Sequence, residues 1–385
     1  MDNPERTMGR REFLKLMGAA GLKFVLDPTE IEQLLLPQLE PNPHVSIVGL
    51  SLVPESIFKH RPDESLLLPI NFCATYQRNS PDHLNKDSKS GGDLWGYGQG
   101  IREALTRGQP VFLVLEFPGE TDQDVTLEDW KEYVSTLAQR FRGANFILGN
   151  EVNIELHRRW KNNPDLFAKY YLAAAEKIRQ LSPNSLVLMY GEAYFGHGET
   201  LRQILFYLCQ KPTRHPAVPI DGLCFHFYDD KVELLPARVE LYRQIGREFG
   251  LPTKFYLTEL GIPEAKVLTS EEHCRLLAQN LAVALALASE GELEYIFWQT
   301  AFSISNADPH SLTYFDKSSL KLKPAFVQFL LITKLLHHNV VLSESGGVYR
   351  VTGETSNHQK AIISWGPQQR LSINLTRAPA SFLGS

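Results

Sequence analysis

The sequence predicts an α/β protein, an eight-stranded (β/α)8 TIM barrel with a short C-terminal β appendage, and three observations predict it. Eight short, almost continuously apolar runs recur between residues 45 and 299, as strands covered on both faces do. Segments with helical apolar spacing lie between most of them, which implies parallel pairing. After His338 this alternation gives way to apolar runs separated by turn residues, the pattern of antiparallel strands.

Asp27-Pro28-Thr29-Glu30 opens the first element with a cap, a first-turn proline and a capping-box glutamate, and the helix ends before Pro37. The strand runs then fall at residues 45–52, 66–74, 111–117, 145–149, 185–190, 222–228, 254–258 and 294–299. Between them, residues 127–142 carry Trp130, Val134, Leu137, Ala138 and Phe141 at helical spacing. Asn163-Pro164 opens a helix running to Leu181, and Ser270 caps a long one with Glu271 and Glu272 in its first turn and Gly291 at its end. Residues 323–336 supply the last helix. The connection between the first two runs is too short for a full helix. Three further apolar runs lie in residues 340–375, split by Gly346-Gly347 and the polar stretch 352–359. The expected organisation is therefore an N-terminal extension at 1–44, a barrel at 45–338 and an appendage at 339–385.

Active sites of such barrels sit at the carboxyl ends of the strands, so polar residues ending apolar runs are the candidates. The fourth run ends in Asn150-Glu151, the seventh in Glu259, the sixth in His226-Phe227-Tyr228 and the eighth in Trp298-Gln299. Two carboxylates at one mouth are what glycoside hydrolysis needs: one protonates the leaving oxygen, the other attacks or stabilises the oxocarbenium-like centre. Burial and mutual repulsion would separate their pKa values and so divide the roles. At the fifth strand end, Tyr190, Glu192 and His197 could also line the cleft.

These residues, in this order, resemble the clan A glycoside hydrolases, especially the cellulase- and mannanase-like families. The resemblance covers roughly residues 45–336. It implies Glu151 of Asn150-Glu151 as acid/base and Glu259 of Thr258-Glu259-Leu260-Gly261 as nucleophile in a double displacement on β-linked glycosides. It also implies that Asn150 contacts the sugar 2-hydroxyl, that Tyr228 of His226-Phe227-Tyr228 hydrogen-bonds the nucleophile, and that Trp298 stacks under the sugar. Lys323-Pro324-Ala325-Phe326 at the last helix fits the same pattern. Two strand ends depart from it: the second reads Asn71-Phe72-Cys73-Ala74-Thr75-Tyr76, without the usual Arg, although Arg78 is nearby. The third, which often ends in a histidine before a Pro-Gly turn, reads Glu116-Phe117-Pro118-Gly119.

Composition narrows the partners. With 44 acidic against 39 basic residues and no Lys/Arg block, a nucleic-acid partner has no footprint. No apolar stretch approaches the roughly 18 residues a membrane span needs. Cys73, Cys209, Cys224 and Cys274 lack metal-ligand spacing; Cys73 and Cys224, inside apolar runs, read as small buried side chains. No cofactor is expected, because the Gly-rich segment 90–100 does not match a phosphate-binding spacing; its Trp95 and Tyr97 form a sugar platform or pin the loop. The stretch MGRREFLKLMGAAG, with Arg10-Arg11 before a short apolar run, resembles a twin-arginine export signal and suggests extracytoplasmic action on an oligo- or polysaccharide; the alternative is the basic start of an ordinary helix. Two other functions fit parts of the pattern. One is a carbohydrate-binding barrel without turnover. The other is a metal-dependent hydrolase using His226, Asp229, Asp230 and His197, although the sequence has neither an H-x-H pair at the first strand nor an H-E-x-x-H run.

Overall fold

The structure, a computed structural model, describes residues 48–51, 70–75, 97–118, 125–193, 197–209, 219–262, 269–299, 302–303, 313–316, 319–336, 338–355, 359–366 and 369–376. The Arg10-Arg11 segment, the helix expected at 27–36, the first strand-to-strand connection, Arg78 and Trp95 lie outside these residues.

Eight parallel strands close into a barrel in sequence order: β1 Val48–Ser51, β2 Ile70–Thr75, β3 Val111–Glu116, β4 Asn145–Leu148, β5 Val187–Glu192, β6 Gly222–Tyr228, β7 Phe255–Gly261 and β8 Tyr295–Trp298. Pairing of Val48 with Ile296 and Leu50 with Trp298 completes the ring. A helix follows each strand from β2 onward: α1 Tyr97–Thr106, α2 Leu127–Arg140, α3 Pro164–Leu181, α4 Glu199–Cys209, α5 Leu235–Glu248, α6 Ser270–Ser289 and α7 Pro324–Leu335. All eight expected strands are present.

Helix starts follow the local chemistry. Thr126 and Asp129 form a capping box at α2, and Thr269 and Glu272 form one at α6. Such a cap contributes about 1 kcal/mol. The cap of α6 is therefore Thr269, one residue before the expected Ser270, because Thr269 is the residue whose hydroxyl reaches the Glu272 N–H.

The core has two layers. Phe112, Val114, Ile147, Leu188, Cys224, Tyr256 and Phe297 fill the barrel interior. The alternate strand residues, among them Leu113, Leu115, Phe146, Leu148, Met189, Leu223, Phe225, Leu257 and Ile296, pack against the helices. Each fully buried large apolar side chain stabilises the fold by about 1.5–3 kcal/mol. Among the described side chains, both faces of β3 to β8 are thus largely apolar.

Two strands break the alternation by one residue. In β5, Met189 pairs with Leu223 but Glu192 with Phe225, so Tyr190 follows Met189 into the outer layer. In β7, Leu257 pairs with Phe225 but Glu259 with His226. Each is a one-residue bulge, a device that re-aims the side chains beyond it.

Two smaller sheets complete the chain. One, β9 Phe302–Ser303, β10 Thr313–Asp316 and β11 Ser319–Leu322, lies between β8 and α7 in sequence and was not foreseen. The other has four antiparallel strands rather than three: β12 His338–Ser345, β13 Val348–Glu354, β14 Lys360–Gly366 and β15 Gln369–Thr376. A two-residue Gly346-Gly347 turn joins the first pair, both glycines at positive φ as such hairpins require.

Candidate active site

At the carboxyl ends of the strands the structure brings Glu151, His226, Tyr228 and Glu259 together. An acceptor or donor atom from each of Glu151, His226 and Glu259 lies within 4.8 Å of the others. His226 Nδ1 is 3.1 Å from Glu151 Oε1 and 3.4 Å from Glu259 Oε2. The Tyr228 hydroxyl donates to Glu259 Oε2. Glu151 and Glu259 keep 26% and 15% of their side-chain surface exposed, against 2% for His226. The carboxylates face the opening while the imidazole lies beneath them.

Backbone geometry sets each position. Glu151 has φ +42°, a left-handed conformation that costs a non-glycine residue on the order of 1–3 kcal/mol. It is held there because its N–H donates to Gly191 O (2.9 Å) and its carbonyl accepts from Ile154 N (3.1 Å). Asn150, half-buried, precedes it. Glu259 owes its place to the β7 bulge. Phe255 and Leu257 face the helices and Tyr256 the interior, so strict alternation would turn Glu259 outward; the extra residue turns it in. On α6, buried Asn280 donates to Gly261 O (3.2 Å) and Asp229 O (3.5 Å), fastening the mouth ends of β7 and β6. Two glycines make room: a Cβ at Gly191 would overlap the His226 ring, and one at Gly261 the Tyr228 ring.

The electrostatics follow from this packing. Burial pushes the Glu259 carboxyl above its ordinary value, with the Glu151 and Glu116 charges adding to it and His226 and the Tyr228 hydrogen bond opposing. Burial also acts to raise Glu151, but the hydrogen bond and charge of His226, with His157 beyond, outweigh it and leave that carboxyl lowered. Burial disfavours a charged His226, and the neighbouring Glu259 and Glu151 carboxylates reverse that and raise it. The two carboxyls are thus shifted in opposite directions, Glu259 up and Glu151 down.

Other expected site residues sit elsewhere. Trp298 has no exposed surface, belongs to the outer layer and stacks on His273 of α6 (centroids 6.5 Å apart); it offers no face to a sugar. The reason is parity: Phe297 fills the interior, so Trp298 turns toward the helices and Gln299 takes the inward position. The Gln299 amide oxygen is buried without a hydrogen-bond partner. Glu192 also leaves the cleft. The β5 bulge turns it outward, where it is 1% exposed and accepts from Gly198 N (2.8 Å) and Leu201 N (3.1 Å) at the start of α4. Tyr190 is fully buried and packs edge-on against Phe167, and His197 is exposed. Among the described residues, the alternative metal set of His226, Asp229, Asp230 and His197 is not grouped, and Asp229 Oδ1 accepts the Lys231 N–H (2.8 Å). Among the described residues, the group of His, Cys, Asp and Glu side chains spaced to hold a metal ion is Glu151, His226 and Glu259. Of the cysteines, Cys224 and Cys274 are buried thiols and Cys209 is partly exposed, all three free.

The fold is one that glycoside hydrolases use. A glucosidase from Croceicoccus marinus superposes with a TM-score of 0.57 at 16% identity, covering 83% of this chain and 75% of that one. A family 39 glycoside hydrolase from the gut symbiont Bacteroides cellulosilyticus matches with a TM-score of 0.57 at 12% identity, covering 84% and 71%. A family 1 β-glucosidase from Thermotoga maritima, in complex with isofagomine lactam, gives 0.51 at 14%, covering 73% and 84%. At these identities the likeness is one of fold. No protein-family model matches the chain, and no curated protein sequence matches it.

Proposed function

We propose that this chain is a retaining glycoside hydrolase acting on β-linked glycosides of oligo- or polysaccharides, with Glu151 as acid/base and Glu259 as nucleophile. The observation that carries the reading is the approach of the two carboxylates, one oxygen of each lying within 4.8 Å of one of the other at the barrel mouth. Retaining enzymes hold their carboxyl groups about 5–5.5 Å apart, whereas inverting ones leave about 6.5–9.5 Å for a water. The shared fold supports the same class.

In this reading Glu151 gives its proton to the glycosidic oxygen as Glu259 attacks the anomeric carbon. The carbon–oxygen bond breaks, the alcohol leaves and a glycosyl ester forms on Glu259. Glu151, now ionised, takes a proton from water, whose oxygen attacks the same carbon and releases Glu259. His226 holds the Glu151 carboxyl below its ordinary value, so Glu151 must take up a proton before the first step. His226 Nδ1, within 3.4 Å of both carboxylates, is the group placed to carry it. The Tyr228 hydroxyl then stabilises the ionised nucleophile. The Arg10-Arg11 segment supports action outside the cytoplasm, where polymeric glycans are met.

Aryl β-glycosides and cello-, manno-, xylo- and laminari-oligosaccharides test the reading, with the anomer of the first product followed by NMR. Expected are a retained configuration, no turnover in Glu259→Gln, and a loss of about 10²–10⁴-fold in Glu151→Gln. Oligosaccharide binding by calorimetry without cleavage would favour the carbohydrate-binding alternative. Full activity in Glu259→Gln would remove Glu259 as the nucleophile, and a product of inverted configuration would end the retaining reading.

A further inference from the structure

Resting on the hydrolase reading, we propose that Glu116 is a specificity-determining residue of the same cleft: its carboxylate accepts hydrogen bonds from hydroxyls of the sugar unit held against Glu259, and so restricts that unit to sugars without a carboxylate of their own.

The placement comes from strand geometry. Along β3, Phe112 and Val114 face the barrel interior, while Val111, Leu113 and Leu115 face the helices. The register of β3 is unbroken on both sides, from Ile70↔Val111 to Thr75↔Glu116 and from Phe112↔Asn145 to Leu115↔Leu148. Glu116 therefore keeps the inward parity of Phe112 and Val114, at the end of the strand that opens on the site. It is half-buried, whereas Leu115 and Phe117 beside it are buried. Its charge reaches the nucleophile candidate, adding to what pushes the Glu259 carboxyl up.

The next residues fix it there. Phe117 stacks on Phe167 (centroids 4.5 Å) and meets Trp130 and Trp160 edge-on (4.9 and 5.3 Å). The Trp160 indole donates to Pro118 O (3.0 Å). A polar group on so rigid a mount is preorganised for a ligand.

The chemistry sets the preference. An ionised carboxylate only accepts hydrogen bonds, and its two oxygens suit neighbouring hydroxyls. A uronic acid would bring a fourth carboxylate beside Glu116, Glu151 and Glu259, and like charges so close repel.

The test uses the full chain, aryl β-glycosides of glucose, mannose, galactose and xylose, the aryl glucuronide, and monodeoxy versions of the best substrate. The wild type is expected to cleave a neutral glycoside at least 100-fold faster than the glucuronide. In Glu116→Gln, kcat/KM for the best neutral substrate should fall about 10- to 100-fold, as loss of a charged hydrogen bond predicts. The monodeoxy substrate that lacks the contacted hydroxyl should lose no more than threefold. The acid limb of the pH profile should also move to lower pH, because Glu259 loses a repelling neighbour. Glu116→Asp, which keeps the charge on a shorter arm, should lose rate with the acid limb unmoved. Wild-type kcat/KM and an unshifted acid limb in Glu116→Gln would overturn the proposal, as would equal rates on glucoside and glucuronide. If the wild type cleaves none of these glycosides, the hydrolase reading fails by itself. Calorimetry with the four free sugars then decides Glu116: weaker binding in Glu116→Gln supports its role and equal Kd values refute it.

Discussion

The Tyr228 hydroxyl donates a hydrogen bond to Glu259 Oε2 across the seam between β6 and β7. The contact exists because the β7 bulge turns Glu259 inward and because Gly261, the next inward position on that strand, leaves space for the Tyr228 ring. The hydrogen bond favours the ionised carboxylate, opposing the upward push of burial.

Tyr228→Phe removes that donor and leaves the ring. The Glu259 carboxyl should rise further, so the acid limb of kcat/KM should move to higher pH, and the rate at neutral pH should fall about tenfold, the worth of one charge-assisted hydrogen bond. A pH–rate profile beside a thermal melt checks this; an unmoved acid limb would remove Tyr228 from the site.

Gly191→Ala should impair both stability and activity. The new methyl would overlap the buried His226 ring, and overpacking of this kind costs about 1–3 kcal/mol. The displaced imidazole should lose its contact with Glu151. Urea denaturation and kcat/KM measured on the same preparation give the answer, and a drop in activity beyond the loss of folded protein is expected.

Glu192 is predicted to matter for stability and not for chemistry. Glu192→Ala leaves the Gly198 and Leu201 N–H groups without acceptors at the start of α4 and should cost about 1–3 kcal/mol. Burial raises its carboxyl above the ordinary 4.5, so the folded state holds this proton more tightly than the unfolded chain. Its contribution is full below pH 4.5 and is lost as pH rises through the folded value. The wild type should therefore lose stability relative to Glu192→Gln over that interval. Denaturant midpoints for the two proteins from pH 4 upward test the sign; a difference that grows in the other direction refutes it.

Trp298→Ala should behave as a core deletion. Loss of a fully buried indole costs about 3–5 kcal/mol. Trp298→Phe, which keeps an aromatic ring against His273, should keep KM within about threefold of the wild type, since oligosaccharide contact requires an exposed face. A selective tenfold rise in KM for Trp298→Phe, with an unchanged melting temperature, would return Trp298 to the sugar site.

The amino-acid sequence by itself determined the barrel, because short apolar runs separated by amphipathic segments have few other ways to bury their faces. It also determined that Glu151, His226, Tyr228 and Glu259 stand at strand ends. Which way those side chains point was settled only by the tertiary structure. Where both faces of a strand are apolar, the two-residue period that distinguishes inside from outside is erased, so nothing in Phe297-Trp298-Gln299 marks Trp298 as outward. Bulges are equally silent, because one extra residue leaves no compositional mark. One of them turns Glu259 into the cleft, and the other turns Glu192 out of it to cap α4. Both outcomes depend on register against neighbouring strands, an interaction between residues far apart in the chain.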